Sequence, residues 1–193
     1  MITHPRDPAL TLLETTDTHV PEAAEILAWA RDYLVSPHPE LGRKGPVCPY
    51  AQGSLSRRTF YLHVVDGPVE TLEEITPVAE RYRDWFLELA PRATPDAIFT
   101  TILLLFPQVA HLKLIDEAQA ALRASFVHRG LMIGEFHDGP PPKGGLWNPV
   151  WRPLRSPIPL LGLRHMVASD RPFLEHDPEL LALHTELFGG ARC

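Results

Sequence analysis

The sequence predicts an α+β fold: a single domain with a mixed four-stranded sheet flanked by helices and a long proline- and glycine-rich loop before the last strand. Three observations carry this expectation. Segments with apolar residues at helical spacing alternate with short aliphatic or β-branched runs. Proline, 21 residues in all, concentrates in Ser36–Pro49 and Gly139–Pro159 instead of spreading evenly, and it marks shaped loops because it fixes φ and removes a donor. The chain of 193 residues falls short of two ordinary domains of roughly 100 to 150 residues each.

In chain order, Met1–Val20 lacks sustained periodicity and reads as a loosely packed arm, leaving residues 21–193 as the domain. Asp17 or Thr18 is placed to cap a helix beginning at Pro21, whose apolar positions are Ala24, Ile26, Leu27, Ala30, Tyr33 and Leu34 and which stops before Pro37. Arg57–Val65 alternates like a strand and closes on Asp66-Gly67-Pro68. Thr71–Leu89 puts Ile75, Val78, Tyr82, Trp85, Phe86 and Leu89 on one helical stripe. Ala97–Phe106 is continuously apolar, as a strand covered on both faces would be. A helix over about Leu112–Arg129 stops at Gly130, Leu131–His137 is extended again, and Ile158–Val167 makes the last strand. Asp177 and Pro178 open a closing helix that runs to Phe188. Strands joined through helices should pair in parallel, and the last two should pair antiparallel across the loop.

Composition narrows the function. With 45% hydrophobic and 22% charged residues the chain supports a core without disulfides. A net charge of −6 and a pI near 5.9 give no basic field for nucleic acid or anionic lipid. Cys48 and Cys193 offer no disulfide framework and suit a reducing compartment. Met1–Leu13 has no cationic start followed by an apolar run, and the aliphatic stretch around Ile102–Phe106 is too short to span a bilayer. The expectation is a cytoplasmic protein with a small-molecule partner, carboxylates being a candidate class, and a homodimer as an open alternative.

Chemistry concentrates between Leu131 and Val167. His137 follows Gly134-Glu135-Phe136 where a buried strand meets a loop of roughly 20 residues, Asp138–Pro157, and loops of that length are commonly functional. There His137 is a candidate metal or haem ligand, or an acid-base group alongside Glu135; it can equally serve the turn with Asp138. Arg152, Arg155 and Arg164 form a candidate anion clamp, because a guanidinium grips carboxylates bidentately; the alternative is an ion pair with an acidic side chain. Trp147 and Trp151 lie in the long loop, and Ser156 opens the last strand. Cys48, followed by Pro49, is a possible thiolate ligand or a small residue in a stiff turn. No GxGxxG, P-loop, HExxH or GxSxG motif is present, so the corresponding nucleotide, zincin and hydrolase readings lack their defining residues.

The runs Ile133-Gly134-Glu135-Phe136-His137 and Asn148-Pro149-Val150-Trp151-Arg152-Pro153-Leu154-Arg155-Ser156-Pro157 resemble the signature of an uncharacterised bacterial domain family. More distantly, Cys48-Pro49 and the Arg155-Ser156-Pro157 strand entry are similar to the YqcI/YcgG-type haem proteins, some of which hydroxylate nitrogen. That resemblance implies a haem-dependent monooxygenase of specialised metabolism acting on an amino acid or small amine. Arg152, Arg155 and Arg164 would hold propionates or a substrate carboxylate, Trp147 and Trp151 would wall the pocket, and Ser156 would belong to the cofactor site. The histidine that family carries before its Arg-Ser segment is missing from Asn148–Trp151, so the axial ligand would be His137, with His165 or Cys48 as substitutes. Beside this stand a haem-independent enzyme using His137 with an arginine anion clamp, and a non-catalytic haem or small-ligand carrier.

Overall fold

A computed structural model describes residues 1–142 and 147–189. It contains a two-stranded hairpin, β1 (Ile2–His4) and β2 (Asp7–Leu12), and a four-stranded sheet of β3 (Phe60–Val64), β4 (Thr101–Leu105), β5 (Leu131–Phe136) and β6 (Leu160–His165). The helices are α1 (Pro21–Trp29), α2 (Ala51–Arg57), α3 (Leu72–Leu89), α4 (Lys113–Val127) and α5 (Pro178–Phe188). Sheet order is β3-β4-β6-β5: β3 and β4 are parallel, and β6 is antiparallel to both neighbours. This is the expected mixed four-stranded α+β domain.

Strand alternation divides the core between the two sheet faces. Ile102, Leu104, Leu131, Ile133, Leu161 and Leu163 pack with Ile75, Phe86, Ile115 and Phe126 of α3 and α4. Leu103, Leu105, Phe60, Leu62 and Leu160 pack with Ala23, Ile26, Leu27 and Leu34 on the α1 side. Each such side chain, once fully buried, contributes about 1.5–3 kcal/mol before conformational entropy is counted. Glu74 accepts from the Glu70 and Thr71 backbone amides at 2.8 and 3.0 Å, closing the first turn of α3, and Asp177 accepts from Leu180 at 3.1 Å to start α5.

Four expectations change. The segment expected to be a loose arm is a hairpin whose Leu10 and Leu12 are buried in the core, while Leu13 exchanges backbone hydrogen bonds of 2.7 and 3.0 Å with Leu62. The edge of β3 is thereby covered. Neither Asp17 nor Thr18 caps α1; Val20 takes that position without a side-chain bond, because Asp17 accepts instead from the Glu14 amide at 2.8 Å. Ala51–Arg57 is a helix, so β3 starts later than Arg57. The run at Ala97 begins as a 3-10 turn over Ala97–Phe99 before β4.

The helix that begins at Pro21 does not end as an α-helix. Ala30–Leu34 is a π-turn, with Val35 N–H donating to Ala30 at 3.2 Å. Such single wide turns insert one residue into the helical register and recur at functional sites.

Candidate functional site

A cleft of about 1110 Å³ lies on the α1 side of the sheet, walled by the α1/π-turn segment and by the loop that precedes β6. Glu25, Trp29, Tyr33, His38, Trp151 and Arg152 line it, and so do Asp138 and Arg155. The first wall follows from helical spacing: Glu25, Trp29 and Tyr33 recur every four residues and share a face. Trp29 stacks on Tyr33 with ring centres 6.1 Å apart and stands edge-on to Phe136 of β5 at 6.0 Å.

The second wall forms because the two proline-rich segments lie against each other. His38 stacks on Trp151 at 4.7 Å with 16° between the rings, and Tyr33 meets His38 edge-on at 6.1 Å. The Tyr33 hydroxyl donates to Pro153 O at 3.1 Å. Burial raises the Tyr33 phenol above its ordinary value, with the Arg155 charge acting in the opposite sense, so the hydroxyl stays protonated as a donor. Asn148 donates to the Glu40 carboxylate. Trp147 covers Gly42, whose φ of +63° and lack of Cβ allow the approach, since a Cβ there would collide with the indole side chain. Phe136, Trp29, Tyr33, His38 and Trp151 thus form one continuous chain of rings.

The expected site residues separate. Glu135 and His137 are both 2% exposed, and alternation along β5 turns them away from the cleft, toward α4. His137 Nε2 lies 2.8 Å from Asp116 Oδ1. His165 occupies the same far face, its Nε2 2.7 Å from Ala90 O and its ring edge-on to Phe86. Burial lowers its pKa, Ala90 and Gly130 oppose that, and Arg92 adds to it. Cys48 is partly buried beside the π-turn, with its amide 2.8 Å from Leu34 O.

The three arginines have three different roles. Arg164 makes a bidentate pair with Asp170 at 2.7 and 2.6 Å; burial works against its charge, but the Asp170 carboxylate outweighs burial and holds the guanidinium above its ordinary value. Its clamp is therefore already filled from within the chain. Arg155 Nε lies 2.7 Å from Asp138 Oδ1, both side chains being well exposed. Arg152 Nη1 reaches the backbone carbonyls of Pro149 and Trp151 at 3.1 and 3.3 Å and, among the described residues, forms no ion pair. Ser156 is buried with its hydroxyl donated to Ile158 O at 2.7 Å. Of the expected pocket walls, Trp151 lines the cleft, whereas Trp147 is 76% exposed outside it. Residues 143–146 of the expected loop lie outside the described residues.

This arrangement does not fit haem as expected. Arg152, Arg155 and Trp151 line the cleft, whereas His137 and His165 point to the opposite side of the sheet, with their Nε2 atoms against Asp116 and Ala90. Cys48 does not line the cleft. Among the described residues no group of three His, Cys, Asp or Glu side chains is disposed to hold a metal.

Glu25, Trp29, Tyr33 and His38 were not singled out by sequence. Trp29 and Glu25 lie off the apolar stripe of α1, and His38 sits in the first proline-rich stretch; an aromatic that the core stripe leaves over, near a second shaped loop, was the available signal. No helix is long and apolar enough to cross a membrane among the described residues. No curated protein and no solved structure matches the chain. The match to a family model over residues 23–192 places the chain in the family described as domain of unknown function DUF6875, to which it belongs.

Proposed function

We propose that the protein binds a small molecule with a flat apolar body and an oxyanion, the body lying along the ring chain and the anion on Arg152. The observation that carries this reading is the pairing of that ring chain with a guanidinium whose partners, among the described residues, are backbone carbonyls. An arginine needs anionic or carbonyl acceptors for five donors, and Arg152 has donors left over at the mouth of a concave, aromatic-lined space, the usual composition of a small-ligand site. Arg155, which also lines the cleft, is paired with Asp138 and so adds no second unpaired cation among the described residues, which matches a single anionic group. The fold hosts no reaction by itself; the reading concerns recognition.

The test is calorimetric titration with naphthalene-2-acetate and its neutral amide. The acid should bind more tightly than the amide, and Arg152→Ala should weaken the acid by about tenfold or more while leaving the amide unchanged. Arg152→Lys should recover part of the loss, because an ammonium keeps the charge without the fork. Equal binding of acid and amide, or indifference to Arg152→Ala, would overturn the reading.

A further inference from the structure

We infer that His38 is the second anion-holding group of this cleft, donating from Nε2 to the oxyanion that Arg152 grips, so that the ligand is an aromatic acid with its acid group at the Trp151 end. The inference rests on the cleft reading above and assigns the end at which the anion sits.

The His38 ring is fixed in orientation and in tautomer. Its Nδ1 accepts the Glu40 backbone N–H at 3.2 Å, and only an unprotonated nitrogen can accept, so the neutral ring carries its hydrogen on Nε2. Trp151 lies flat against one face, Tyr33 meets the ring at 76°, and Asn148 ties the Glu40 side chain to the opposite loop. Among the described residues Nε2 has no hydrogen-bond partner, in a ring that lines the cleft. The His38–Trp151 stack brings His38 against the residue that precedes Arg152 in the chain, and His38 and Arg152 both line the cleft. Two donors in one cleft can share an oxyanion, and a preset tautomer means that the imidazole needs no reorganisation when the ligand arrives.

The other end of the cleft has the opposite charge. Glu25 is eight residues from Tyr33, about 12 Å along a helix axis at 1.5 Å per residue. A ligand with its acid at His38 and Arg152 would direct its aromatic body over Tyr33 and Trp29 toward this carboxylate, where a second anionic group would be repelled. The favoured class is therefore an aromatic mono-acid.

Long-range ¹H–¹⁵N NMR of labelled protein at about pH 8, where an ordinary imidazole is neutral, reads the tautomer directly; His38 should carry hydrogen on Nε2. On titration with naphthalene-2-acetate, the His38 Nε2 and Arg152 Nε signals should move together and saturate at one Kd. His38→Phe, which keeps a ring for Trp151, should weaken the acid about tenfold, and His38→Gln, whose amide can donate from a similar position, should restore part of it. An Nδ1–H tautomer, or a moving Arg152 signal beside an unmoved His38, overturns the role of His38 and leaves the cleft reading standing. If neither signal moves at millimolar probe, both fall.

Discussion

Phe136 and His137 are neighbours in sequence and face opposite sides of the sheet, which decides what each can do. Phe136 braces Trp29 at the base of the cleft, whereas His137 is engaged by Asp116 on the α4 side and acts within the packing. His137→Ala should therefore lower stability by about 2–3 kcal/mol, through the lost volume and the lost charge-assisted bond, and leave naphthalene-2-acetate binding unchanged. Urea denaturation beside calorimetry separates these effects; a large loss of binding in the folded variant would return His137 to the site. The residue types in this region were legible in the sequence, and so was their placement where β5 meets the loop. Which face they took was only half legible: period-two alternation opposes Phe136 to Glu135 and His137, but only the position of α1 and α4 shows which face borders the cleft. The arginines were indistinguishable for a similar reason. Nothing in Arg152 to Arg164 reveals that Asp170, six residues further on, occupies Arg164, while Arg152 finds only carbonyls.

Among the elements, β5 and β6 show why the glycines recur. Gly134 lies opposite Gly162 in the strand register, and the Phe136 ring lies over both: a Cβ would come 3.2 Å from that ring at Gly134 and 3.0 Å at Gly162, where Leu103 is also 3.2 Å away. Gly162→Val should thus displace Phe136 and, through it, Trp29, costing about 1–3 kcal/mol of stability from overpacking and weakening the aromatic acid as well. Loss of stability with intact binding would show that Phe136 does not set the position of Trp29. Helices and strands with strong periodicity were readable to within a few residues, and Gly130 and Asp177 marked their boundaries through turn and cap chemistry. The α2 helix and the π-turn were not readable. A seven-residue helix of Ala51–Arg57 carries too short a pattern, and a π-turn differs from an α-turn by one hydrogen bond that leaves no composition signal. That turn adds one residue to the helix just where Tyr33 is presented to His38.

For the whole molecule, the sheet separates a face with buried histidines from a face that carries the cleft. His165, and His63 on β3 near the hairpin, are held below the ordinary histidine value chiefly by burial. A folded pKa below the unfolded value of about 6.5 means that the unfolded chain binds more protons, so this stabilisation is complete above about pH 6.5 and is lost as pH falls toward the folded values. Urea midpoints measured from about pH 7.5 to 5 should decline, and His165→Phe should flatten the decline; a midpoint that is level or rises on acidification would contradict the buried neutral histidines. The fold class, the sheet content and the region of the site were accessible from pattern and proline distribution. The meeting of the two proline-rich segments was not, because it brings together residues more than 100 positions apart through contacts that no local rule encodes. Those contacts also join the walls of the cleft. Tyr33 to Pro153, His38 to Trp151, Glu40 to Asn148 and Gly42 to Trp147 link one loop to the other, while the hydrophobic core lies beneath them in the sheet. Parting the loops would cost these contacts and leave the sheet core intact, as when weakly packed segments open below the free energy of global unfolding. A molecule seated on Arg152 and the ring chain touches both walls at once and so acts as a clasp, holding closed an entrance that the core leaves free to breathe.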